Sequence, residues 1–331
     1  MEHRTLGSTG HSTSVIGIGT WQLGTDWGNV STEQATQVLD TALSVGINFV
    51  DTADVYGDGR SETLIGGYCA NMDDKQRPFI ATKMGRRVDQ RPENYTREAM
   101  LAWNDRSRAN LGVEMLDLVQ LHCPPTEVLA NPATWDILRE MVDASRIRAF
   151  GASVETCKQA LIAMDHGAQT IQIIINVLRP KPLEEVLPRA FEQGVGIIAR
   201  VPLASGLLSG RYRHNTVFSA QDHRTYNRDG SAFDIGETFS GVPYDLGVDV
   251  AQEFVALCES LGPEGASPTQ IALRWILDAP GVTTVIPGAR NGEQVLSNAR
   301  AADVDPLSPE LTGALSDLYD SKVREYIHHR W

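Results

Sequence analysis

Apolar and polar positions form two patterns along the chain, and together they predict a regular succession of strands and helices. Short, almost wholly apolar runs are typical of buried strands, whereas apolar residues that recur every three to four positions indicate amphipathic helices. The apolar runs predict strands at residues 13–18, 47–51, 79–83, 117–122, 147–152, 170–176, 196–201 and 282–286. The helical patterns predict helices at about residues 31–46, 96–111, 132–145, 155–166, 183–193, 249–261, 268–278 and 292–301.

Eight strand–helix units are the number found in a (β/α)8 TIM barrel, which is the α/β fold that the pattern favours. The competing architecture is a doubly wound open sheet, but no GxGxxG motif opens a helix after a strand here. Residues 203–247 interrupt the alternation with a long segment rich in Gly, Ser, Asp, Asn and aromatic residues. Loops of this length inside compact domains are usually functional. No linker divides the chain, so a single domain over residues 1–331 is predicted.

The composition limits the partners and the location of the protein. Of the 331 residues, 42% are apolar and 21% are charged, which suits a soluble enzyme with a large core. The formal net charge of −13 argues against nucleic acid or an anionic membrane as a partner. The sequence has no apolar run as long as a membrane span and no signal-peptide core. We therefore expect a cytoplasmic protein.

The cysteines and the metal-ligand motifs agree with that expectation. Cys69, Cys123, Cys157 and Cys258 are widely spaced and form no CxxC pair. This spacing is typical of reduced thiols in a cytoplasmic protein. The chain also has no HExxH motif and no carboxylate cluster, so the sequence predicts no metal site.

Three of the predicted strands end in an ionisable residue, namely Asp51, Lys83 and His122. The middle of a doubly buried parallel strand does not accommodate a charge, whereas its C-terminal end can reach a ligand. Tyr56 follows on the loop that leaves the strand of Asp51. If these strands are neighbours, a carboxylate, an ammonium, a phenol and an imidazole meet at one mouth of the barrel. This set, hereafter the tetrad, suits proton transfer to or from a carbonyl oxygen.

Each member of the tetrad can be given a chemical role. A tyrosine has a pKa of about 10, and an adjacent ammonium such as Lys83 would lower it. Asp51 can supply the counter-charge that a buried lysine needs, and His122 can hydrogen-bond the carbonyl oxygen. Each residue alone also has an ordinary explanation: a turn cap for Asp51, packing for Tyr56, extension to the rim for Lys83 and a loop hydrogen bond for His122. Four such residues at the ends of sequential strands are much less expected by chance.

Several motifs resemble those of the aldo-keto reductase superfamily, in particular its bacterial NADP-dependent members. The matching segments are GIGTW (17–21), DTADVYGDGRSE (51–62), ATK (81–83), DLVQLH (117–122), GAS (151–153), Gln172 with Asn176, PLASGLLSGRY (202–212) and IPGARNGEQVLSNA (286–299). The resemblance implies a TIM barrel with an N-terminal β-hairpin and a long loop after strand seven. It also implies a nicotinamide cofactor held without a Rossmann fold. The family's catalytic tetrad falls on Asp51, Tyr56, Lys83 and His122.

The end of the eighth predicted strand suggests how a phosphate would bind. IPGAR ends that strand in a Gly turn that opens a helix, and a helix N-terminus offers unpaired N–H groups to an anion. Arg290 adds a charge with geometry suited to phosphate, and Gln294 and Asn298 share its helical face. In the family that the sequence resembles, this element holds the adenosine 2′-phosphate, so NADP is the expected cofactor. The alternative is a solvated helix start.

The resemblance also implies the remaining cofactor contacts. The loop after strand seven would wrap the pyrophosphate, with Arg211 and Arg224 as basic contacts. Ser153 and Gln172 would bind the carboxamide, whose donor and acceptor both need partners. The implied set is Thr20, Trp21, Ser153, Gln172, Pro202, Leu203, Ala204, Ser205, Gly206, Arg211, Arg224, Pro287, Gly288, Arg290, Gln294 and Asn298. Two residues depart from the family pattern around the nicotinamide, since Ile175 replaces a frequent aromatic residue and Val154 replaces an amide.

The prediction for function is an NADPH-dependent reductase of aldehydes or ketones, running reversibly, with Tyr56 as proton donor. Trp21, Trp27 and the C-terminal EYIHHRW are candidates for the substrate rim, and ordinary packing would explain them equally.

One rival function is that of a Schiff-base aldolase or isomerase with Lys83 as nucleophile. The other is a cofactor-sensing regulatory subunit, since channel β-subunits share the family's fold and tetrad. A long N-terminal extension would favour that role, and this chain starts nearly at its first hairpin. The natural substrate and the oligomeric state stay open.

The long segment 203–247 has two interpretations. Its glycines and arginines suit a mobile lid that closes over a bound phosphate. The alternative is a rigid loop packed on the barrel by Phe218, Phe233, Phe239 and Tyr244.

Overall fold

The computed structural model describes residues 1–24, 30–73 and 75–331. An antiparallel hairpin, β1 (His3–Thr5) with β2 (Ser12–Ser14), precedes a sheet of eight parallel strands. Each strand of this sheet lies beside its neighbour in the chain. The eight strands are β3 (Ile18–Gly19), β4 (Phe49–Asp51), β5 (Phe79–Met84), β6 (Leu116–His122), β7 (Ile147–Ser153), β8 (Thr170–Ile174), β9 (Gly196–Arg200) and β10 (Val282–Val285).

The sheet closes on itself between β3 and β10. Ile16 forms a parallel bridge with Val285, and Gly19 forms another with Gly288. The amide of Gly17 donates to the carbonyl oxygen of Val285 at 2.8 Å. The result is a closed barrel, so the predicted (β/α)8 TIM barrel with an N-terminal hairpin is confirmed.

Helices alternate with the strands and bury their apolar stripes against the sheet. In the first of them, Ala35, Val38, Leu39 and Ala42 are buried on one face, and a capping box at Ser31 begins the helix as predicted. The described helices are α1 (Thr32–Ser44), α2 (Arg60–Cys69), α3 (Arg97–Leu111), α4 (Thr126–Ala130), α5 (Pro132–Asp143), α6 (Cys157–Asp165), α7 (Lys181–Gln193), α8 (His223–Tyr226), α9 (Tyr244–Leu261), α10 (Pro268–Asp278), α11 (Gly292–Ala299), α12 (Pro309–Lys322) and α13 (Arg324–Ile327). Within the described residues, no helix is both long and apolar enough to cross a membrane.

The N-terminal hairpin covers the N-terminal mouth of the barrel. Leu6 is completely buried in a cluster with Phe49 and Phe79 from the barrel interior. Gly7 has a positive φ of 50°, and a Cβ there would lie 2.2 Å from the amide nitrogen of Gly196. Only glycine fits so close an approach. The opposite, C-terminal mouth is where the long βα-loops gather, as in other barrels of this kind.

The structure differs from the sequence predictions in a few elements. The predicted strand 13–18 is divided, because Ser12–Ser14 pairs within the hairpin and only Ile18–Gly19 joins the barrel. The pattern missed α2, where polar residues and two glycines weaken the apolar period, and it also missed α12. The segment 203–247 contains only short helical turns before α9 begins. Trp27, a candidate for the substrate rim, lies outside the described residues.

Candidate active site

The tetrad meets at the C-terminal mouth of the barrel. Asp51 ends β4, Lys83 is the penultimate residue of β5 and His122 ends β6. Lys83 lies at the centre, with 1% of its side chain exposed. Its Nζ donates to Asp51 Oδ1 at 2.5 Å, to the Thr52 carbonyl oxygen at 2.8 Å and to Tyr56 Oη at 3.4 Å. The predicted ammonium, carboxylate and phenol are therefore in direct contact.

Tight backbone contacts orient the loop that carries Tyr56. Gly57 has a φ of 60°, and a Cβ there would lie 2.1 Å from the carbonyl oxygen of Gly24. The Tyr56 ring stacks against Trp21 with centroids 6.2 Å apart. It meets the His122 ring edge-on at 5.9 Å. These contacts direct the phenol toward the other members of the tetrad.

Burial decides the protonation of the Tyr56 phenol, whereas neighbouring charges decide that of the Lys83 ammonium. Burial raises the pKa of Tyr56, and the nearby charge of Lys83 offsets only part of that effect. The net shift is thus opposite to the one expected from Lys83 alone, and the phenol keeps its proton at neutral pH. For Lys83, burial opposes the charge, but Asp51 and then Tyr56 outweigh it and raise its pKa. The ammonium consequently stays charged.

His122 is a neutral imidazole in this site. Burial, followed by the charges of Arg86, Lys83 and Arg200, lowers its pKa well below the ordinary value. Its Nε2 lies 3.4 Å from Arg86 Nη1. Its Nδ1 has no hydrogen-bond partner among the residues that the structure describes.

Two predicted cofactor contacts are linked to the tetrad by hydrogen bonds. Gln172 donates from Nε2 to Asp51 Oδ2 at 2.7 Å. Ser153 donates from Oγ to Gln172 Oε1 at 3.3 Å. Because Lys83 binds the other carboxylate oxygen, both oxygens of Asp51 are engaged. This chain of buried polar groups fixes the carboxylate in one orientation.

A cavity of about 760 Å³ opens beside the tetrad, a size typical of small-molecule sites. Asp51 and Tyr56 line it, together with most of the predicted cofactor contacts. The predicted contacts on its wall are Thr20, Trp21, Gln172, Pro202, Leu203, Ser205, Gly206, Arg211, Arg224, Pro287, Gly288, Arg290, Gln294 and Asn298. Ser153 and Ala204 are buried and do not belong to the wall.

The turn before α11 is held by side chains of the helix itself. Asn291 caps the helix by accepting from the amide of Gln294 at 2.9 Å. Gln294 Oε1 in turn accepts from the amide of Arg290 at 2.8 Å. Asn298 donates to the carbonyl oxygen of Gly288 at 3.3 Å. Since these amides are already bonded within the turn, an anion here would be recognised mainly by the exposed side chain of Arg290.

The loop after β9 reaches the cavity through residues in the left-handed conformation. Ser205 and Gly206 have φ values of 55° and 95°. A Cβ on Gly206 would lie 2.3 Å from Tyr212 Oη. Ser205 Oγ donates to the carbonyl oxygen of Glu237 at 3.1 Å and accepts from the amide of Phe239 at 3.1 Å. The hydroxyl of Ser205 thus holds the long segment in place, and a pyrophosphate would have to be bound by other groups of this loop.

The two arginines of the long segment differ in their surroundings. Arg224 forms an ion pair with Asp222, with Nη2 and Oδ2 2.5 Å apart, and its guanidinium carbon lies 4.3 Å from the Phe218 ring centroid. Arg211 is exposed on the cavity wall and is ion-paired with no carboxylate among the described residues. Because Asp222 largely neutralises Arg224, Arg211 is the stronger candidate for a phosphate contact.

Aromatic packing holds part of the long segment against the barrel. The rings of Phe239 and Tyr244 have centroids 5.1 Å apart, and Phe218 lies 5.9 Å from Phe239. Phe233 instead packs against Trp21, at 5.9 Å. These contacts agree with the rigid alternative for residues near 237–244, whereas residues 213–221 are mostly exposed.

We predict that hydrogen exchange will divide this segment into two parts. Amides of residues 237–241 should be protected without cofactor, because buried contacts hold them. Amides of residues 211–221 should gain protection only when NADP⁺ is added. Mass-spectrometric exchange of the protein with and without NADP⁺ measures both. Uniformly fast exchange over 211–241 without cofactor would support a fully mobile lid and contradict this prediction.

Sequence reasoning missed a buried ionic cluster next to His122. Arg200 ends β9 and pairs with Glu155 at 2.8 Å and with Glu237 at 3.6 Å. Arg86 also pairs with Glu237, at 2.7 Å. Arg200 is an ionisable residue at a strand end, so the signal that revealed the tetrad could have found it. Glu155 and Glu237 lie outside the strands and carry no such signal.

The cluster does not suit a metal ion. Cys123, Glu155 and Glu237 place potential ligand atoms within 4.8 Å of one another. However, burial raises the pKa of the Cys123 thiol to about 12, so it is not a thiolate. Burial also opposes the charge of Glu237, but Arg86 and Arg200 outweigh it and lower its pKa. The arginines thus already neutralise this site.

Neither of the two residues that depart from the family pattern lines the cavity. Val154 and Ile175 are completely buried in the core and are absent from the cavity wall. Arg200, at the end of the seventh barrel strand, does line the cavity.

At the C-terminus, Trp331 is buried against Arg179, with the guanidinium carbon 4.0 Å from the ring centroid. Trp331 therefore belongs to the packed interior, which agrees with ordinary packing of the C-terminal segment and not with a place at the substrate rim.

A sequence profile identifies the family. The profile described as "Aldo/keto reductase family" matches residues 15–320, a range that contains the tetrad and all the predicted cofactor contacts. The chain belongs to the aldo/keto reductase family. It is accordingly an oxidoreductase by family, and members of this family generally use a nicotinamide cofactor.

Relatives support this assignment over nearly the whole chain. Aldo-keto reductase YhdN of Bacillus subtilis strain 168 is 29% identical over 302 residues, which cover 89% of this chain and 87% of YhdN. The structure of a glycerol dehydrogenase from Gluconobacter oxydans superposes with a TM-score of 0.76 at 27% identity, covering 95% of this chain and 93% of that one. A probable voltage-gated potassium channel subunit beta of rice, Oryza sativa subsp. japonica, is 24% identical over the full length of both chains.

The loop between Asp51 and Tyr56 also carries a buried carboxyl group with a stability effect. Asp54 is 1% exposed. Burial, followed by repulsion from Glu62, raises its pKa from 3.8 to about 7. The folded chain thus holds a proton that the unfolded chain releases at lower pH. The free energy of unfolding should therefore fall as the pH rises from about 4 to about 7.

We expect Asp54→Asn to remove this pH dependence. Above pH of about 7 the variant should be more stable than the wild type by up to about 4 kcal/mol. The gain should shrink toward pH of about 5, where the wild-type carboxyl is neutral. Urea unfolding at both pH values measures the difference, with Asp305→Asn, at an exposed position, as the matched control. A gain that is equal at both pH values would refute the assignment to Asp54.

Proposed function

We propose that this aldo/keto reductase catalyses the reversible, NADPH-dependent reduction of aldehydes or ketones to alcohols, with Tyr56 as proton donor. The observation that carries the proposal is the set of contacts at Lys83. Its ammonium touches both Asp51 and Tyr56 at the edge of a cavity that also reaches Arg290. A protonated phenol beside a charged ammonium is suited to giving its proton to a developing alkoxide.

The cavity fits a dinucleotide cofactor. Gln22 lines it, and its Oε1 is buried without a hydrogen-bond partner among the described residues, as expected of an acceptor awaiting a ligand. Gln172 joins the cavity wall to the tetrad and would hold the nicotinamide end. Arg290 and Arg211 place positive charge elsewhere on the same wall, where phosphates would be held. When bound, NADPH supplies a hydride to the carbonyl carbon of the substrate.

The chain's own groups account for the proton. The Tyr56 hydroxyl transfers its proton to the carbonyl oxygen as that oxygen gains charge. The Lys83 ammonium stabilises the phenolate that remains, and Asp51 holds Lys83 in place. His122 lies against Tyr56 and confines the carbonyl group beside the phenol. In the reverse direction the same phenolate accepts the proton of the alcohol.

The Schiff-base alternative is disfavoured by the state of Lys83. A lysine nucleophile needs an unprotonated amine, whereas Asp51 and Tyr56 raise the pKa of this buried ammonium above the ordinary value. Borohydride treatment in the presence of substrate should therefore leave the mass of the protein unchanged. A regulatory role is favoured by the similarity to potassium channel β-subunits such as that of rice, and it predicts NADPH binding without turnover.

A substrate screen tests the proposal. The panel should contain sugar aldehydes, α-keto aldehydes and aromatic aldehydes. With each compound, the loss of nicotinamide absorbance measures the oxidation of NADPH. Turnover with at least one class, together with the matching alcohol as product, is the expected result. Tight NADPH binding with no turnover over the whole panel would instead favour the regulatory role.

A further inference from the structure

We propose that the guanidinium of Arg200 packs against the nicotinamide ring and makes the protein bind NADPH more tightly than NADP⁺. This inference rests on the proposed function, in which the cavity beside the tetrad holds the cofactor. Arg200 ends β9 and lines that cavity together with Asp51, Tyr56 and Gln172. The hydride and the Tyr56 proton reach the two atoms of one carbonyl group. The nicotinamide ring must therefore lie at this end of the cavity.

The side chain of Arg200 crosses the mouth of the barrel beside the two residues that would hold the carboxamide. Its Nη2 donates to the carbonyl oxygen of Val154 at 3.2 Å and lies 3.6 Å from Cys123 Sγ. Val154 follows the last residue of β7, Ser153, and Cys123 follows the end of β6. The strand that carries Gln172, β8, lies between β9 and β7. The guanidinium thus passes over the end of β8, next to the bonded pair of Ser153 and Gln172.

Ion pairs hold the guanidinium in place and leave part of it for a ligand. Arg200 pairs with Glu155 at 2.8 Å and with Glu237 at 3.6 Å, and 9% of its side chain is exposed. The donors of a guanidinium lie in its plane, so these contacts leave its faces available for packing on a flat ring. Its Nε is buried and has no hydrogen-bond partner among the described residues. An unpaired buried donor is costly, which supports a polar ligand group beside Arg200.

Trp21, a second flat side chain on the cavity wall, is less available to the cofactor ring. It stacks on Tyr56, with centroids 6.2 Å apart. The rings of His223 and Phe233 lie 4.8 Å and 5.9 Å from it. Because these aromatic neighbours already pack on Trp21, Arg200 is the planar group that can receive the nicotinamide next to Gln172.

The charge of Arg200 is only partly neutralised. Burial opposes this charge, but Glu155 and the other neighbours outweigh burial and raise the pKa of Arg200. Glu237 is shared with Arg86, which it contacts at 2.7 Å. Burial also raises the pKa of Glu155 to about 7, so this carboxyl carries less than a full charge at neutral pH. Positive charge therefore remains beside the ring.

This charge distinguishes the two oxidation states of the cofactor. The nicotinamide ring of NADPH is neutral and electron-rich, and the face of such a ring attracts a cation. Loss of the hydride makes the ring of NADP⁺ a cation, which the guanidinium repels. Arg200 keeps all its protons throughout. The site would therefore hold NADPH and release NADP⁺ readily after reduction.

Calorimetric titration with NADPH and with NADP⁺ tests the proposal without any turnover. The wild type should bind NADPH more tightly. Arg200→Met keeps the length of the side chain and removes its charge, so the ratio of the two Kd values should shift toward NADP⁺ by roughly ten-fold. Arg211→Met, the matched control elsewhere on the cavity wall, should weaken both cofactors alike. A ratio in Arg200→Met within about twofold of the wild-type ratio would overturn the proposal.

A double variant tests whether the shift comes from a carboxylate that has lost its partner. Arg200→Met leaves Glu155 unpaired, and a negative charge there would itself attract NADP⁺. Arg200→Met/Glu155→Gln removes that charge, so it should regain thermal stability and keep the altered ratio. Return of the double variant to the wild-type ratio would assign the effect to Glu155 and overturn the proposal.

Adenosine 2′,5′-bisphosphate, which lacks the nicotinamide, locates the effect along the cavity. It should bind the wild type and Arg200→Met with equal affinity. A change in its affinity as large as the change for NADP⁺ would place Arg200 at the phosphates and contradict the inference. Failure of the proposed function would look different. The wild type would then bind both cofactors and reduce no carbonyl compound, while the ratio of the two affinities would still depend on Arg200.

Discussion

Tyr56→Phe is expected to lower kcat by at least about 100-fold while NADPH binding is retained. The substitution keeps the ring that stacks on Trp21 and removes the hydroxyl that Lys83 contacts. Because burial raises the pKa of Tyr56, the hydroxyl is protonated at neutral pH and is the source of the proton in reduction. Steady-state kinetics with a substrate from the screen, together with NADPH titration by fluorescence, measures both quantities.

Tyr68→Phe is the matched control for this substitution. The Tyr68 hydroxyl donates to Asp40 on the outside of the barrel, so its loss should leave kcat unchanged. Near-native kcat in Tyr56→Phe would eliminate Tyr56 as the proton donor. Equal losses of kcat and of NADPH affinity would instead indicate a collapsed site.

Arg290→Ala is expected to weaken NADPH binding by roughly ten- to a hundred-fold and NADH binding much less. The loss corresponds to about 1.5–3 kcal/mol for one charge-assisted contact. The structure strengthens the reason for choosing this residue, because the neighbouring amides are already bonded to Gln294 and Asn291. The side chain of Arg290 must then carry most of the recognition of a 2′-phosphate. Titration of both cofactors by fluorescence quenching measures the two affinities.

Arg300→Ala is the matched control for Arg290→Ala, because it also removes one positive charge next to α11. Arg300 is exposed just after α11 and is absent from the cavity wall. It should change neither affinity by more than about twofold. If Arg290→Ala weakened NADH as much as NADPH, then Arg290 would not read the 2′-phosphate, and the preference for NADP would need another source.

The position of the tetrad could be predicted because it depends on a local signal. A buried strand ends where a charge can first reach solvent. Asp51, Lys83 and His122 therefore indicated where their strands end and that these ends lie at the same mouth of the barrel. Once the strands are consecutive neighbours, their ends must converge. The contact of Lys83 with both Asp51 and Tyr56 then follows from the fold.

The partners of His122 could not be predicted in this way. Arg86 lies beyond the end of β5 and is held by Glu237, which is 151 residues away in the chain. Such a pairing depends on how the long segment folds back over the barrel, and no local periodicity encodes it. The net pKa shift of Tyr56 was missed for a related reason, since it depends on burial and not on its charged neighbour alone.

The missed helix α2 shows the limit of periodicity itself. Arg60 donates to the carbonyl oxygens of Leu23 and Val30, so tertiary contacts hold the start of this helix. Gly66 allows it to approach the carbonyl oxygen of Asn110, since a Cβ there would lie 2.6 Å away. A residue that weakens the helical signal is thus required by the packing.

Isotope transfer tests the central claim most directly. The wild-type protein should be incubated with a carbonyl substrate and NADPH deuterated at C4 of the nicotinamide, and the alcohol analysed by mass spectrometry and NMR. The proposed function predicts one deuterium on the carbinol carbon with NADPH labelled on one face of the ring, and none with the label on the other face. Alcohol without deuterium from either label, or no alcohol from any carbonyl compound in the panel despite bound NADPH, would contradict it.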